Sequence, residues 1–244
     1  MTAFTLKIIA LLAMLTDHIG EVYALSIPNA FLLRMIGRLA FPLYAYMIAE
    51  GCRHTSNIKK YALRLGVFAL ISEIPFDLCF ENAGISGIGE LTFLSFDYQN
   101  VFFNLCLAVT AVYAWERAKE SGHRLLGAAA FAAATITAAL LRADYTYYAV
   151  PLIACLYFAR DKKIQAAAMG VFAALLYLPG YNYRVLLFGH RLPGGLLAFL
   201  TALIPAVLIL FYNGRRGPKV RYFFYACYPL HLIVLAALQI LSVI

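Results

Sequence analysis

The sequence predicts an all-α membrane protein, a polytopic bundle of about nine transmembrane helices. Three observations predict it. Apolar residues fill 64% of the 244 positions and charged residues only 13%, about half the usual charged share. A soluble domain of this size must turn much of its chain toward water and cannot conceal so much apolar surface. The apolar residues also run in long unbroken stretches instead of alternating with polar ones, which argues against a porin-type barrel. Finally, the basic residues recur between the stretches in the order expected of loops held on one side of a membrane. The same composition excludes a disordered chain, a coiled coil and a collagen-like fibre.

Taken in order, apolar stretches lie at about 4–25, 30–50, 60–80, 98–115, 125–141, 146–159, 164–179, 195–212 and 222–243, most of them near the ~20 residues that one span needs. The first resembles a signal peptide, with Lys7 ahead of an apolar run. Asp17 and His18 interrupt it, however, and Val22-Tyr23-Ala24 is a weak cleavage site, so it is read as the first span. With the N-terminus cytoplasmic, the loops 51–64, 116–124, 160–163 and 213–221 are cytoplasmic too. With Lys7 they hold fifteen of the 20 Lys and Arg. The other five, Arg34, Arg38, Arg142, Arg184 and Arg191, sit at or near external ends. Segment 81–97 carries Glu81, Glu90 and Asp97 and no basic residue. One miscounted span would invert every later loop. The stretch 146–159 is short and holds Pro151; a re-entrant reading of it would move Arg160, Lys162 and Lys163 outside. Nine spans place the C-terminus outside, and residues 1–244 are read as one transmembrane domain in the cytoplasmic (inner) membrane.

The net charge of +8 is read as orientation within lipid rather than as a nucleic-acid surface. Cys52, Cys79, Cys106, Cys155 and Cys227 form no CxxC or Cys/His pair. They are read as packing residues, with no metal or disulfide framework expected.

Ionisable and amide groups inside spans are costly, which makes them candidates for function. Asp17 and His18 lie past the middle of the first stretch. Arg34 and Arg38 are four apart, hence on one helix face, as are Glu73 and Asp77 around Pro75, and Asn100 and Asn104. Arg142, Asp144, Tyr145 and Tyr148 fall at the junction of the fifth and sixth stretches, and His231 lies within the last. The topology gathers these groups at similar depth in the outer half. They are either a packing network of salt bridges or the lining of a site. A histidine beside a carboxylate is a common general base with its orienter. Adjacent helical residues point about 100° apart, so Asp17 can instead serve a neighbouring helix.

The strings LTDHIG, RMIGRLAFPLYAYMIAEGCRHTSN, KKYALRLGVFALISEIPFD and RYFFYACYPLHLIVL together resemble the TraX family of membrane proteins. The resemblance covers both ends of the chain; the middle, about 120–215, is less distinctive. Founding members are associated with conjugation, where they N-acetylate pilin. The family is similar to transmembrane acyltransferases that pass an acyl group from cytoplasmic acyl-CoA to an acceptor across the membrane. The resemblance implies a catalytic His18 with Asp17 beside it, and site-lining roles for Arg34, Arg38 and the Tyr228-Pro229-Leu230-His231 string. It also implies acetyl-CoA as co-substrate. The acceptor partner would be a protein such as pilin, or an envelope glycan or lipid.

Acyl transfer needs a base for the acceptor and donors for the developing oxyanion. His18 can be the base; Asn100, Asn104, Tyr145 or an arginine can be donors. Glu73, Asp77, Asp144 and His231 are further candidates for lining the substrate site. Coenzyme A carries phosphates, which cytoplasmic Arg53, Lys59, Lys60, Arg64, Arg215, Arg216, Lys219 and Arg221 can bind, although orientation alone accounts for those charges. No glycine-rich phosphate loop is present, which argues against nucleotide hydrolysis. The rival reading is a proton-coupled secondary transporter, since buried Asp, Glu, His and Arg serve one equally well; broken helices in two related halves are not evident.

Overall fold

The computed structural model of the chain describes residues 1–24, 26–81, 94–95, 97–179, 184–187, 190–218, 220 and 222–243. Among them the regular structure is helical, apart from one short hairpin. The helices are α1 (Ala3–Val22), α2 (Ala30–Gly37), α3 (Ala40–His54), α4 (Ile58–Phe80), α5 (Val101–Glu120), α6 (Arg124–Leu140), α7 (Thr146–Phe158), α8 (Lys162–Tyr177), α9 (Gly194–Leu210) and α10 (Phe223–Val243). Every apolar stretch of the sequence is helical. Three segments, Ala3–Val22, Ala30–His54 and Phe223–Leu241, are long and apolar enough to cross a membrane.

Two departures from the sequence reading stand out. The stretch 30–50 is not one helix but two, broken at Arg38 and Leu39. Pro42 is the physical cause. It has no N–H to return to the Arg38 carbonyl, and its ring crowds that carbonyl. A proline is harmless in the first turn of a new helix, so α3 starts at Ala40 instead. The second departure is at 184–193, read as loop. There β1 (Arg184–Leu187) pairs antiparallel with β2 (His190–Pro193), Arg184 facing Pro193 and Leu187 facing His190.

The helices pack into two compact units. The first comprises residues 1–47 and 155–219, the second 48–154 and 220–244. In the first unit α1 lies against α2, α2 against α9, and α8 against α9. Met35, Ala173, Tyr177, Ala198 and Ala202 form a buried core, with Phe31, Leu176, Leu197 and Phe199 packed around it. Residues 213–216 run beside the N-terminus. Ala3 N donates to Arg215 O at 2.9 Å, Phe4 N to Arg216 O at 3.1 Å and Asn213 N to Met1 O at 2.9 Å. Lys162 Nζ donates to Tyr212 O close by.

In the second unit α5 packs on α4 and α6, and α4 on α10. The helix α4 shows how the sequence decides this. Leu63, Val67, Leu70, Ile71 and Ile74 are exposed, while Leu65, Ala69, Ser72, Glu73, Phe76 and Asp77 are buried. The periodicity is helical, but the polar residues are on the inside. This inversion fits a lipid surround, where an exposed leucine costs nothing and a polar group must find protein partners. Aromatic rings join α4, α5 and α10: Phe68 to Tyr225 at 5.1 Å and Phe102 to Tyr228 at 5.0 Å between centroids.

Candidate functional site

In the first unit the sequence candidates Asp17, Arg34 and Arg38 converge. Arg34 Nη1 donates to Asp17 Oδ2 at 2.8 Å, and Arg38 Nη2 to Asp17 Oδ1 at 2.9 Å. Both carboxylate oxygens of Asp17 are therefore engaged across the α1–α2 interface. Arg34 also pairs with Glu21, one turn beyond Asp17. Two carboxylates on α1 thus face two guanidinium groups, Arg34 on α2 and Arg38 at the break that follows it, and the four charges cancel. Asp17 and Arg38 are largely buried, with 15% and 9% of their side-chain surfaces exposed, so each depends on the other for its charge to be tolerated.

The helix break has a part in this arrangement. Arg38 Nε donates to the Arg34 carbonyl at 2.9 Å, one of the carbonyls that the end of α2 leaves without a helical partner. Its guanidinium also lies 5.8 Å from the ring centroid of Tyr177. One residue therefore caps the broken helix and neutralises Asp17. Gly37 makes the approach of the two helices possible. A Cβ built there would fall 2.0 Å from Asp17 Oδ1, far inside contact distance. Replacing Gly37 with alanine is expected to push α1 from α2, loosen both ion pairs and lower the thermal midpoint of the detergent-purified protein. Overpacking typically costs about 1–3 kcal/mol. An unchanged midpoint would show that Asp17 can move aside freely.

His18 is half-buried on α1, and Glu21 follows it by three residues, on the same side of the helix. Glu21 and Arg34 line a cleft of about 400 Å³ at the α1–α2 corner, with Gly20, Ala24, Ile27, Asn29, Ala30 and Phe31. Asn29 supports the corner in a left-handed conformation, φ 59°, which asparagine tolerates well.

The second unit holds a separate polar cluster. Asn100 Nδ2 donates to Glu73 Oε2 and, at 2.9 Å, to Ala69 O, while its Oδ1 caps α5 by accepting from Phe102 N at 3.0 Å. Asn104 Nδ2 donates to Asp144 O. Tyr98 Oη donates to Asp144 Oδ1 at 2.8 Å, and Ser95 N to Asp77 Oδ2 at 2.6 Å. The turn that presents Asp144 places Arg142, Tyr145 and Thr146 at φ 49°, 64° and 39°. Such conformations each cost of order ~1–3 kcal/mol and persist only where surroundings enforce them. Tyr145 belongs to this turn and is half-buried. His231 Nδ1 donates to Cys227 O at 2.8 Å, and its ring lies 5.5 Å from that of Tyr228.

Of the basic candidates, Lys59, Lys60, Arg215 and Arg216 are exposed. Arg53 pairs with Glu50. Arg64 lies over the Tyr61 ring at 5.5 Å, and its Nε is buried without a hydrogen-bond partner among the described residues. Lys219, Arg221 and Glu90 lie outside the described residues.

The TraX protein family model matches residues 3–239. The chain belongs to the TraX family. A probable fimbrial assembly protein FimC, serogroup H1, of Dichelobacter nodosus is 31% identical over 249 residues, covering 97% of this TraX chain and 95% of the relative. No solved structure matches. Several residues of the TraX chain carry the geometry but escaped the sequence reading. Glu21 sits at a helix end, where an acidic residue is unremarkable. Gly37 and Pro42 act through the backbone, and Ser72 carries no charge. The string GRLAFP was the available signal for the break.

Proposed function

We propose that this TraX-family chain is an integral membrane acyltransferase. It moves an acetyl group from cytoplasmic acetyl-CoA to an amine or hydroxyl acceptor at the outer half of the membrane. The observation that carries this reading is family membership across residues 3–239. The fimbrial-assembly relative favours a pilin-like protein as acceptor. His18 is the general base. It takes the proton as the acceptor nitrogen or oxygen attacks the thioester carbonyl. The C–S bond then breaks, and the imidazolium returns a proton to the departing CoA thiolate. Asp17 holds Arg34 and Arg38 to α1 and so fixes the helix that carries His18.

Nine spans with the N-terminus inside and the C-terminus outside belong to this proposal. Residues 1–4, Lys162 and 212–216 come together at one end of the first unit, which supports a shared cytoplasmic side for Lys7 and the loops at 160–163 and 213–221. α1 has 20 residues and is ~30 Å long, matching the hydrocarbon thickness. Asp17, His18 and Glu21 then belong to its outer part. CoA phosphates are assigned to some of the cytoplasmic basic residues at 53–64 and at 215–221. The unpartnered Nε of Arg64 suits a phosphate oxygen.

The purified protein is expected to transfer labelled acetyl from acetyl-CoA to a pilin-like peptide with a free N-terminus. CoA affinity should fall as ionic strength rises. Combined alanine substitution of Arg215, Arg216 and Lys219 should weaken CoA binding. Absence of transfer to any amine or hydroxyl probe would overturn the enzyme reading. Unaltered CoA binding in the triple variant would remove that loop from the phosphate site.

A further inference from the structure

We infer that the α4–α5 seam of the second unit holds a monovalent cation, either a free alkali ion or the primary ammonium of an organic amine. Glu73 is 6% exposed, and Ser72 and Asn104 are fully buried. Glu73 Oε1, Asn104 Oδ1 and Ser72 Oγ have no hydrogen-bond partner among the described residues. All three are oxygens able to accept. Asn100 Nδ2, which donates to Glu73 Oε2, is committed to Ala69 O as well. Asn104 follows Asn100 by one turn on the same face of α5, and Ser72 and Glu73 are both buried on α4. The seam therefore has an excess of acceptors.

It also has an excess of negative charge. Glu73 makes no ion pair among the described residues, and Asp77 adds a second buried carboxylate one turn along α4. A carboxylate enclosed by apolar helices keeps its charge only with a counter-charge and otherwise takes up a proton, because burying the charge alone costs far more than any single contact returns. A cation supplies that charge and satisfies the orphaned oxygens together. Alkali ions and primary ammonium groups share the chemistry, since each binds a few hard oxygens and fits a small site. The inference does not depend on the acyl-transfer reading, because binding alone is measured.

The test is thermal unfolding of the detergent-purified full chain at constant ionic strength. Sodium, potassium or ethylammonium chloride is titrated against choline chloride. Choline's quaternary nitrogen offers no N–H and is too bulky for the seam. The expected result is a saturable rise in midpoint with at least one of the three, and which one responds identifies the source. In Glu73→Gln the rise should vanish. The amide would keep its acceptor for Asn100 and remove the buried charge, so the cation-free midpoint should itself increase. Ser72→Ala should retain the response with roughly tenfold weaker apparent affinity, about one hydrogen bond to a charged group; it serves equally if Glu73→Gln does not fold. Equal effects of all four salts would overturn the site. So would a response that survives unchanged in Glu73→Gln, or in Ser72→Ala where that is the only folded variant.

Discussion

Replacing His18 with alanine is expected to leave a folded, membrane-inserted protein that binds CoA normally but transfers acetyl about 10²–10⁴-fold more slowly, the usual cost of losing a general base. The side chain is half-buried on α1, and the ion pairs that fix α1 to α2 run through Asp17 and Glu21. Removing the imidazole leaves both of those ion pairs in place. The measurement is single-turnover transfer of labelled acetyl, with CoA binding followed in parallel. Turnover near that of the parent would remove His18 from the mechanism. Joint loss of folding and binding would assign it to packing.

The second large effect is expected at Asp17. Changing it to leucine strands Arg38, and in part Arg34, without a counter-charge at a largely buried position. Breaking such a pair from one side typically costs about 3–5 kcal/mol. The variant should show a sharply lower thermal midpoint and poor yield. Pairing Asp17→Leu with Arg38→Met should recover much of the loss, because removing both partners of a buried pair is often close to neutral. Asp17→Asn should fall between the two, since an amide oxygen still accepts from a guanidinium. A stable Asp17→Leu protein that fails only in transfer would instead give Asp17 a chemical role beside His18.

Much of this was legible because the signals are large and periodic. Nine apolar stretches became helices, since in lipid the backbone has no other way to satisfy itself. The i, i+4 pairs Arg34/Arg38, Glu73/Asp77 and Asn100/Asn104 predicted shared faces. Asp17 with the two arginines, and Glu73 with Asn100, are where those faces meet. Other features were hidden for identifiable reasons. Hydropathy averages over a window, so Pro42 changed nothing in the apolar sum while it broke the helix at 38–39. Gly37 works by lacking a side chain, which no residue-type scan rewards. The hairpin at 184–193 is too short to impose a pattern of its own. Whether Asp17 serves its neighbour in sequence or the next helix is a matter of direction around α1, which spacing alone leaves open.

The charge arrangement at the α1–α2 corner also bears on how the chain enters its membrane. During synthesis the first helix emerges carrying two carboxylates, Asp17 and Glu21, and the second carries two guanidinium groups, Arg34 and Arg38. Left unpaired in the membrane, each of these charges is penalised, by about 2.5–3.5 kcal/mol at the centre of a span and by less toward its ends. Together they are neutral, and only residues 23–29 separate them. Pairing α1 with the segment that follows it therefore lets both cross lipid with no net charge at this corner.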